Sequence, residues 1–307
     1  METCLVPLDD RARWGALAAE AGHVQVQQGW AYGEVLARRG ARVERLGLFE
    51  AGRCVGMVQL VGRRPLGGPF RLWHGLGGPL WLRSDDPHAG IAVLGLLRRR
   101  YGWRRAGLLL LTPASGDAAM EARRLEAAGF RRAMTGYTTA RLDLAAPLAD
   151  LQRCLVPAWR RELRRGEVAL AFEWSDPRAD PATLDVLLER EAGERRRRGY
   201  AALPAAVVRE VARASGGLLA SARRDGRLVA AMLFLRHGRT AVYQTGWSDG
   251  DGRRGRAHHR ALWGTIERLQ EAGVRWLDLG GLNLPAGIVR FKLGCGATPV
   301  TFAGTFV

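Results

Sequence analysis

Lys292 is the only lysine of a 307-residue chain that otherwise uses arginine, 46 of them, and Asn283, in the same short segment, is its only asparagine. An ammonium differs from a guanidinium in size, hydration and the ease with which burial moves its pKa. A lysine kept where arginine is the rule therefore points to charge chemistry, with chance survival under a GC-rich codon bias as the alternative. Asp278 stands nearby among Trp276, Leu277 and Leu279. An unpaired carboxylate in an apolar strand is costly, so Asp278 must meet an arginine or backbone N–H groups, as a structural ion pair or as a base. Tyr243 offers a phenol able to pass on a proton, and Trp247 an indole able to stack on a base or sugar; core packing is the plain alternative for both. Arg160 and Arg164 share a helical face and could clamp phosphate oxygens, or simply be solvated.

Other chemistries lack their residues. No serine, cysteine or histidine sits in a nucleophile motif. Cys4, Cys54, Cys154 and Cys295 have neither zinc-site spacing nor the density of a disulfide scaffold, and His258-His259 has no third ligand nearby, so no metal is expected. No apolar run approaches the roughly 20 residues that cross a bilayer, and the opening residues, with Glu2, Asp9 and Asp10, do not read as a signal peptide. The expectation is a cytoplasmic enzyme with no transmembrane segment and no tightly bound cofactor. A net charge of +17 and a pI near 11.2 attract RNA, anionic membrane surfaces or nucleotide-linked substrates. Arg195 to Arg198 end a helix, where positive charge also suits the macrodipole.

The elements that position these residues occur twice. Gly52-Arg53-Cys54-Val55-Gly56 is echoed 174 residues later by Gly226-Arg227-Leu228-Val229-Ala230, each as the turn and second strand of an apolar hairpin. Each hairpin is followed by a Gly/Trp loop, Gly77 to Trp81 or Gln244 to Trp247. A helix then leads into a short apolar strand: 91–101 into 108–112, and 258–271 into 274–279. A second short helix and a final strand close each copy, near 144 and 307. The pattern predicts an α/β (α+β) chain of two tandem domains, each a mixed, mostly antiparallel sheet flanked by helices. The domains are 1–145 and 146–307, the second opening with a bridging helix over 146–165.

Two segments resemble the Fem family of aminoacyl-tRNA-dependent peptidoglycan-bridge transferases and its acetyltransferase (GNAT) relatives. They are Trp276-Leu277-Asp278-Leu279-Gly280-Gly281 and Gly287-Ile288-Val289-Arg290-Phe291-Lys292-Leu293-Gly294-Cys295-Gly296, supported by Trp159 to Arg165 and Gly77 to Trp81. Cys295 stands where the family usually has phenylalanine, and the helical arm that some members insert has no counterpart. The resemblance implies two GNAT-like domains, the first on the acceptor side and the second on the donor side. Lys292 would neutralise the oxyanion that forms when an amine attacks an activated ester, with Asp278 and Tyr243 beside it. Asn283, Arg290, Phe291, Trp247, Arg160 and Arg164 would line the substrates in the second domain. Gln28, Trp30, Tyr32 and Trp81 would contact the acceptor in the first.

The expected partners are aminoacyl-tRNA and a nucleotide- or lipid-linked peptidoglycan precursor, with peripheral contact to an anionic membrane. An acyl-CoA donor is the alternative, because Gly252 to Ala257 keeps part of the Gly-rich loop that holds the CoA pyrophosphate before a helix. A non-catalytic RNA-binding protein is favoured by charge alone.

Overall fold

The computed structural model describes residues 3–65, 68–82, 86, 88–114, 117–166, 170–199 and 202–307. By compactness the chain forms two units, Met1–Thr138 with Val300–Val307, and Thr139–Pro299. The expected boundary at 145/146 therefore moves, and the last eight residues join the first unit.

Unit 1 begins with β1 (Thr3–Pro7), α1 (Arg11–Glu20), a 3-10 turn over Val26–Gln28 and α2 (Trp30–Arg38). The hairpin β2 (Arg42–Glu50) and β3 (Arg53–Arg63) follows, then β4 (Arg71–Gly77), β5 (Leu80–Trp81), α3 (Ile91–Tyr101), β6 (Gly107–Pro113), α4 (Ala118–Ala127) and β7 (Arg132–Met134). In unit 2, β8 (Thr138–Asp143) leads through α5 (Leu148–Arg153) and α6 (Pro157–Arg165) to β9 (Ala171–Ser175), α7 (Pro181–Arg198) and α8 (Ala205–Ser215). Then come β10 (Gly217–Arg224), β11 (Arg227–His237), β12 (Thr240–Ser248), α9 (Gly250–Arg254), α10 (Ala257–Glu271), β13 (Trp276–Gly281), α11 (Ala286–Gly294) and β14 (Thr298–Thr301). The last strand, β15 (Thr305–Phe306), belongs to the first sheet.

The repeat read from the sequence is real at the level of topology. One sheet runs β1-β2-β3-β4-β6-β15-β7, with β5 on β3, and the other runs β9-β10-β11-β12-β13-β8-β14. Both hairpins turn through two residues of positive φ, Ala51-Gly52 and Asp225-Gly226, the geometry that matches the twist of the strands. In each sheet one neighbouring pair is parallel, β4 with β6 and β12 with β13.

Two expectations are corrected. The final strands do not close their own copies: β8 enters the second sheet between β13 and β14, and β15 enters the first between β6 and β7. Phe306 is fully buried there, in the core formed by Leu48, Leu60, Leu97 and Leu111. The helix expected over 146–165 is two helices. Pro157 has no N–H to continue α5, so it starts α6 at a first-turn position where that lack costs nothing.

Candidate active site

β12 and β13 pair in parallel over only three positions, Thr240 to Val242 against Trp276 to Asp278. Beyond Val242, β12 pairs with β11 alone, and beyond Asp278, β13 pairs with β8 alone. The two strands thus part at Asp278. The ladder with β11 skips Gln244, since Leu233 faces Thr245 while Phe234 faces Tyr243, so β12 is bulged where the split begins. Tyr243 packs on Phe234 with ring centroids 5.5 Å apart, and its phenol lies over Gly246, where any Cβ would collide with it.

The split ends in a built turn. Gly280 has φ +77, a conformation glycine adopts without strain, and its N–H donates to Asp278 Oδ1 at 2.7 Å. The Thr139 hydroxyl, from β8, donates to the same oxygen. Asp278 is 3% exposed, so these donors offset the cost of burying its carboxylate. Lys292, on α11 and 4% exposed, closes the turn by donating to the Gly281 carbonyl at 2.9 Å. Burial lowers its pKa from 10.5 to about 8, against the opposing pull of the Asp278 charge. An ammonium with that value is mostly charged at neutral pH and readily titrated.

The rest of the signature holds α11 in place. Trp159 on α6 is buried, donates to the Phe291 carbonyl at 3.0 Å, and occupies the space that a Cβ on Gly294 would need. Phe291 packs edge-on against His259 with centroids 5.1 Å apart. Phe291 is therefore an anchor and Gly294 a close-contact residue, and the Trp159 and Phe291-Lys292 segments form one assembly. Cys295 is buried, its thiol donates to the Lys292 carbonyl, and desolvation pushes its pKa up to about 12, so it is no nucleophile at neutral pH. Desolvation also lowers His259 to about 4, leaving it neutral.

Of the other residues expected in unit 2, Asn283 and Arg290 are exposed just beyond β13 and on α11. Trp247 carries the Arg190 guanidinium 5.2 Å from its ring centroid. Arg160 and Arg164 do not form a clamp. The Arg160 Nη2 donates to the carbonyls of Gln152, Arg153 and Leu155, sealing the end of α5, while Arg164 is exposed. The loop before α10 uses four of its own donors. Gly252 N–H meets Asp249 Oδ1, and the N–H groups of Arg253, Gly255 and Arg256 meet carbonyls of Asp249, Asp251 and Arg253.

In unit 1, Gln28 is a structural amide. Its Nε2 donates to the Gln59 and Leu76 carbonyls, and its Oε1 accepts from Gln59 N–H. Trp81 is buried, donates to Glu121 and lies against Arg124, so it is core and not a substrate platform. Trp30 donates to Glu34, with the Arg45 guanidinium 3.7 Å from its ring centroid. Tyr32 lines a recess of about 210 Å³ with Arg63 and His74, between α2 and the sheet. Burial raises the Tyr32 pKa and lowers that of His74.

Thr139 was not found from the sequence. Its partner lies 139 positions away, and nothing in the local pattern marks an exchanged strand.

Residues 157–293 match the acetyltransferase (GNAT) domain family, the segment that holds Asp278, Lys292 and the split strands. No curated protein matches the sequence. Among solved structures, FemX superposes with a TM-score of 0.83 at 14% identity, covering 100% of this chain and 96% of its own. A tandem GNAT protein from the clavulanic acid biosynthesis pathway gives 0.55 at 19% identity, covering 99% and 98%. L-PGS from Bacillus licheniformis gives 0.54 at 14% identity, covering 97% and 90%. The chain carries a GNAT-type acyltransferase domain within a two-unit fold similar to that of FemX.

Proposed function

We propose that the protein transfers an aminoacyl group from aminoacyl-tRNA to an amine of a peptidoglycan precursor or a related acceptor. The observation that carries this reading is the buried Lys292 ammonium, fixed on the Gly281 carbonyl where β12 and β13 part. The acceptor amine attacks the ester carbonyl, negative charge gathers on its oxygen, and the ribose hydroxyl leaves. Lys292 offsets that charge, a role worth about 10² to 10³ in rate for one preorganised donor. Asp278 acts as a positioning residue: it fixes the Gly280 turn, and its charge favours the protonated lysine. The net charge of +17 suits an RNA donor, and the reading places the enzyme in the cytoplasm.

The second reading is an acyl-CoA donor, favoured by the Gly255-x-Ala257 spacing at the start of α10. The loop argues against it, because the N–H groups of Gly252, Arg253, Gly255 and Arg256 are already bonded within the loop, and Asp249 and Asp251 lie beside them. The test offers purified protein an amine acceptor with either aminoacyl-tRNA or acyl-CoA. Acceptor-dependent loss of the aminoacyl ester is expected, and turnover of acyl-CoA alone would overturn the preferred donor.

A further inference from the structure

Unit 1 carries a groove of about 750 Å³ on the side formed by the end of α3 and the start of β6. Its floor is apolar, with Leu109 and Phe130 at 2% and 3% exposure. Its rim holds Arg98, Arg99 and Arg131, all exposed, and Trp103, which is 80% exposed and packs at a tilt on Phe70 with ring centroids 5.7 Å apart. Among the described residues no Asp or Glu lines the groove, and Val307 lines it beside Arg131.

Two ordinary explanations fall short. Arginines in the last turn of α3 suit its macrodipole, but Arg131 lies outside that helix and gains nothing from it. Some surface arginines are paired, Arg153 with Asp150, Arg178 with Asp176 and Arg227 with Asp249 and Asp251, and others such as Arg164 and Arg290 stand singly; what sets this groove apart is three arginines and an exposed indole around one apolar floor. Among the described residues the guanidiniums of Arg98, Arg99 and Arg131 have no ion-pair partner, and the Trp103 indole leaves most of its surface open beyond its contact with Phe70.

We infer that this groove binds single-stranded RNA, with the three arginines on backbone phosphates and a base stacked on Trp103. Planar bases stack on an exposed aromatic whatever their sequence, and unpaired guanidiniums track a phosphate backbone. A concave groove with an apolar floor fits a strand better than it fits a flat anionic membrane. The inference uses unit 1 alone and rests on the proposed function only for its purpose, since an RNA-bound donor would need such a hold.

The test uses full-length protein and a fluorescent single-stranded RNA oligonucleotide that bears no aminoacyl group, so that its outcome is independent of which acyl donor the enzyme uses. Affinity should fall with salt, and Arg99→Ala with Arg131→Ala should flatten the log–log slope by about 1 to 2, as expected for lost contacts to single strands. Trp103→Ala should weaken binding roughly tenfold or more, the effect of one lost stack. Arg153→Ala with Arg178→Ala, the same charge change at paired sites, should do less. Equal effects of the two double variants, with no effect of Trp103→Ala, would overturn the inference. So would variants that keep RNA affinity and lose binding to anionic phospholipid vesicles, which would make the groove a membrane contact.

Discussion

The two sheets share one strand order but differ at the parallel pair. In unit 1, β4 and β6 stay paired over seven positions, Arg71 to Gly77 against Gly107 to Pro113. In unit 2, the equivalent strands pair over three and then part. The difference begins at one carboxylate. Asp278 bonds the Gly280 N–H and the Thr139 hydroxyl, and the register on β8 jumps between Asp278 and Gly281, so β13 turns away from β12. Lys292 stands at that turn. One fold thus keeps the parallel pair together in one copy, where β3 and β4 instead pair over three positions, and opens a slot at the parallel pair in the other, the copy on which the matched acetyltransferase domain falls.

Breaking the copy with the intact parallel pair should be the larger structural effect. Phe306→Ala removes a fully buried ring from β15 and should cost about 3 to 5 kcal/mol of stability, read by denaturant unfolding. An effect below about 1 kcal/mol would mean that β15 is dispensable to unit 1. Breaking the open copy should appear in rate. Lys292→Met should lower kcat by about 10² to 10³. It should also raise the thermal midpoint at neutral pH, because a buried charge whose desolvation outweighs its attraction to Asp278 is gone. Lys292→Arg keeps the charge but puts a broad fork where a compact donor fits, and should also be slow. Near-normal turnover by that variant would make Lys292 structural.

The duplicated hairpins were legible because turn glycines and apolar strands are local signals, and Lys292 and Asp278 were legible because they lie in one short segment. The exchange of β8 and β15 was not, because the same strand pattern fits either sheet and only tertiary pairing decides. Trp81 and Gln28 look like binding residues in sequence; in the fold they satisfy buried partners, Glu121 for the one and backbone groups of Gln59 and Leu76 for the other. Arg160 likewise meets three carbonyls at a helix break that Pro157 imposes.

Thr139→Val tests the link between strand exchange and site. It keeps the shape and removes the hydroxyl from a buried carboxylate, a loss of about 1 to 3 kcal/mol in stability. The rate should fall too, by less than for Lys292→Met, and Thr139→Ser should restore it. Loss of stability with an unchanged kcat would confine Thr139 to a structural role.

The smallest effect, and the most specific, is in pH. The folded Lys292 pKa is about 8 and its ordinary value is 10.5, so the folded protein releases this proton before the unfolded chain does. Between those values the unfolded state binds more protons, and stability should rise with pH; this rise should be missing in Lys292→Met. Activity should move the other way if the ammonium offsets the oxyanion, since about half of it is neutral at its own pKa, a loss of roughly twofold between neutral pH and 8. The acceptor amine confuses the raw profile, because it must lose a proton to attack and so speeds the reaction in the same range. The ratio of wild-type to Lys292→Arg turnover cancels that contribution, as arginine stays charged throughout. The ratio should fall as pH passes about 8. A flat ratio would show that the protonation of Lys292 is not what the reaction reads, and a rising one would make the neutral amine a base.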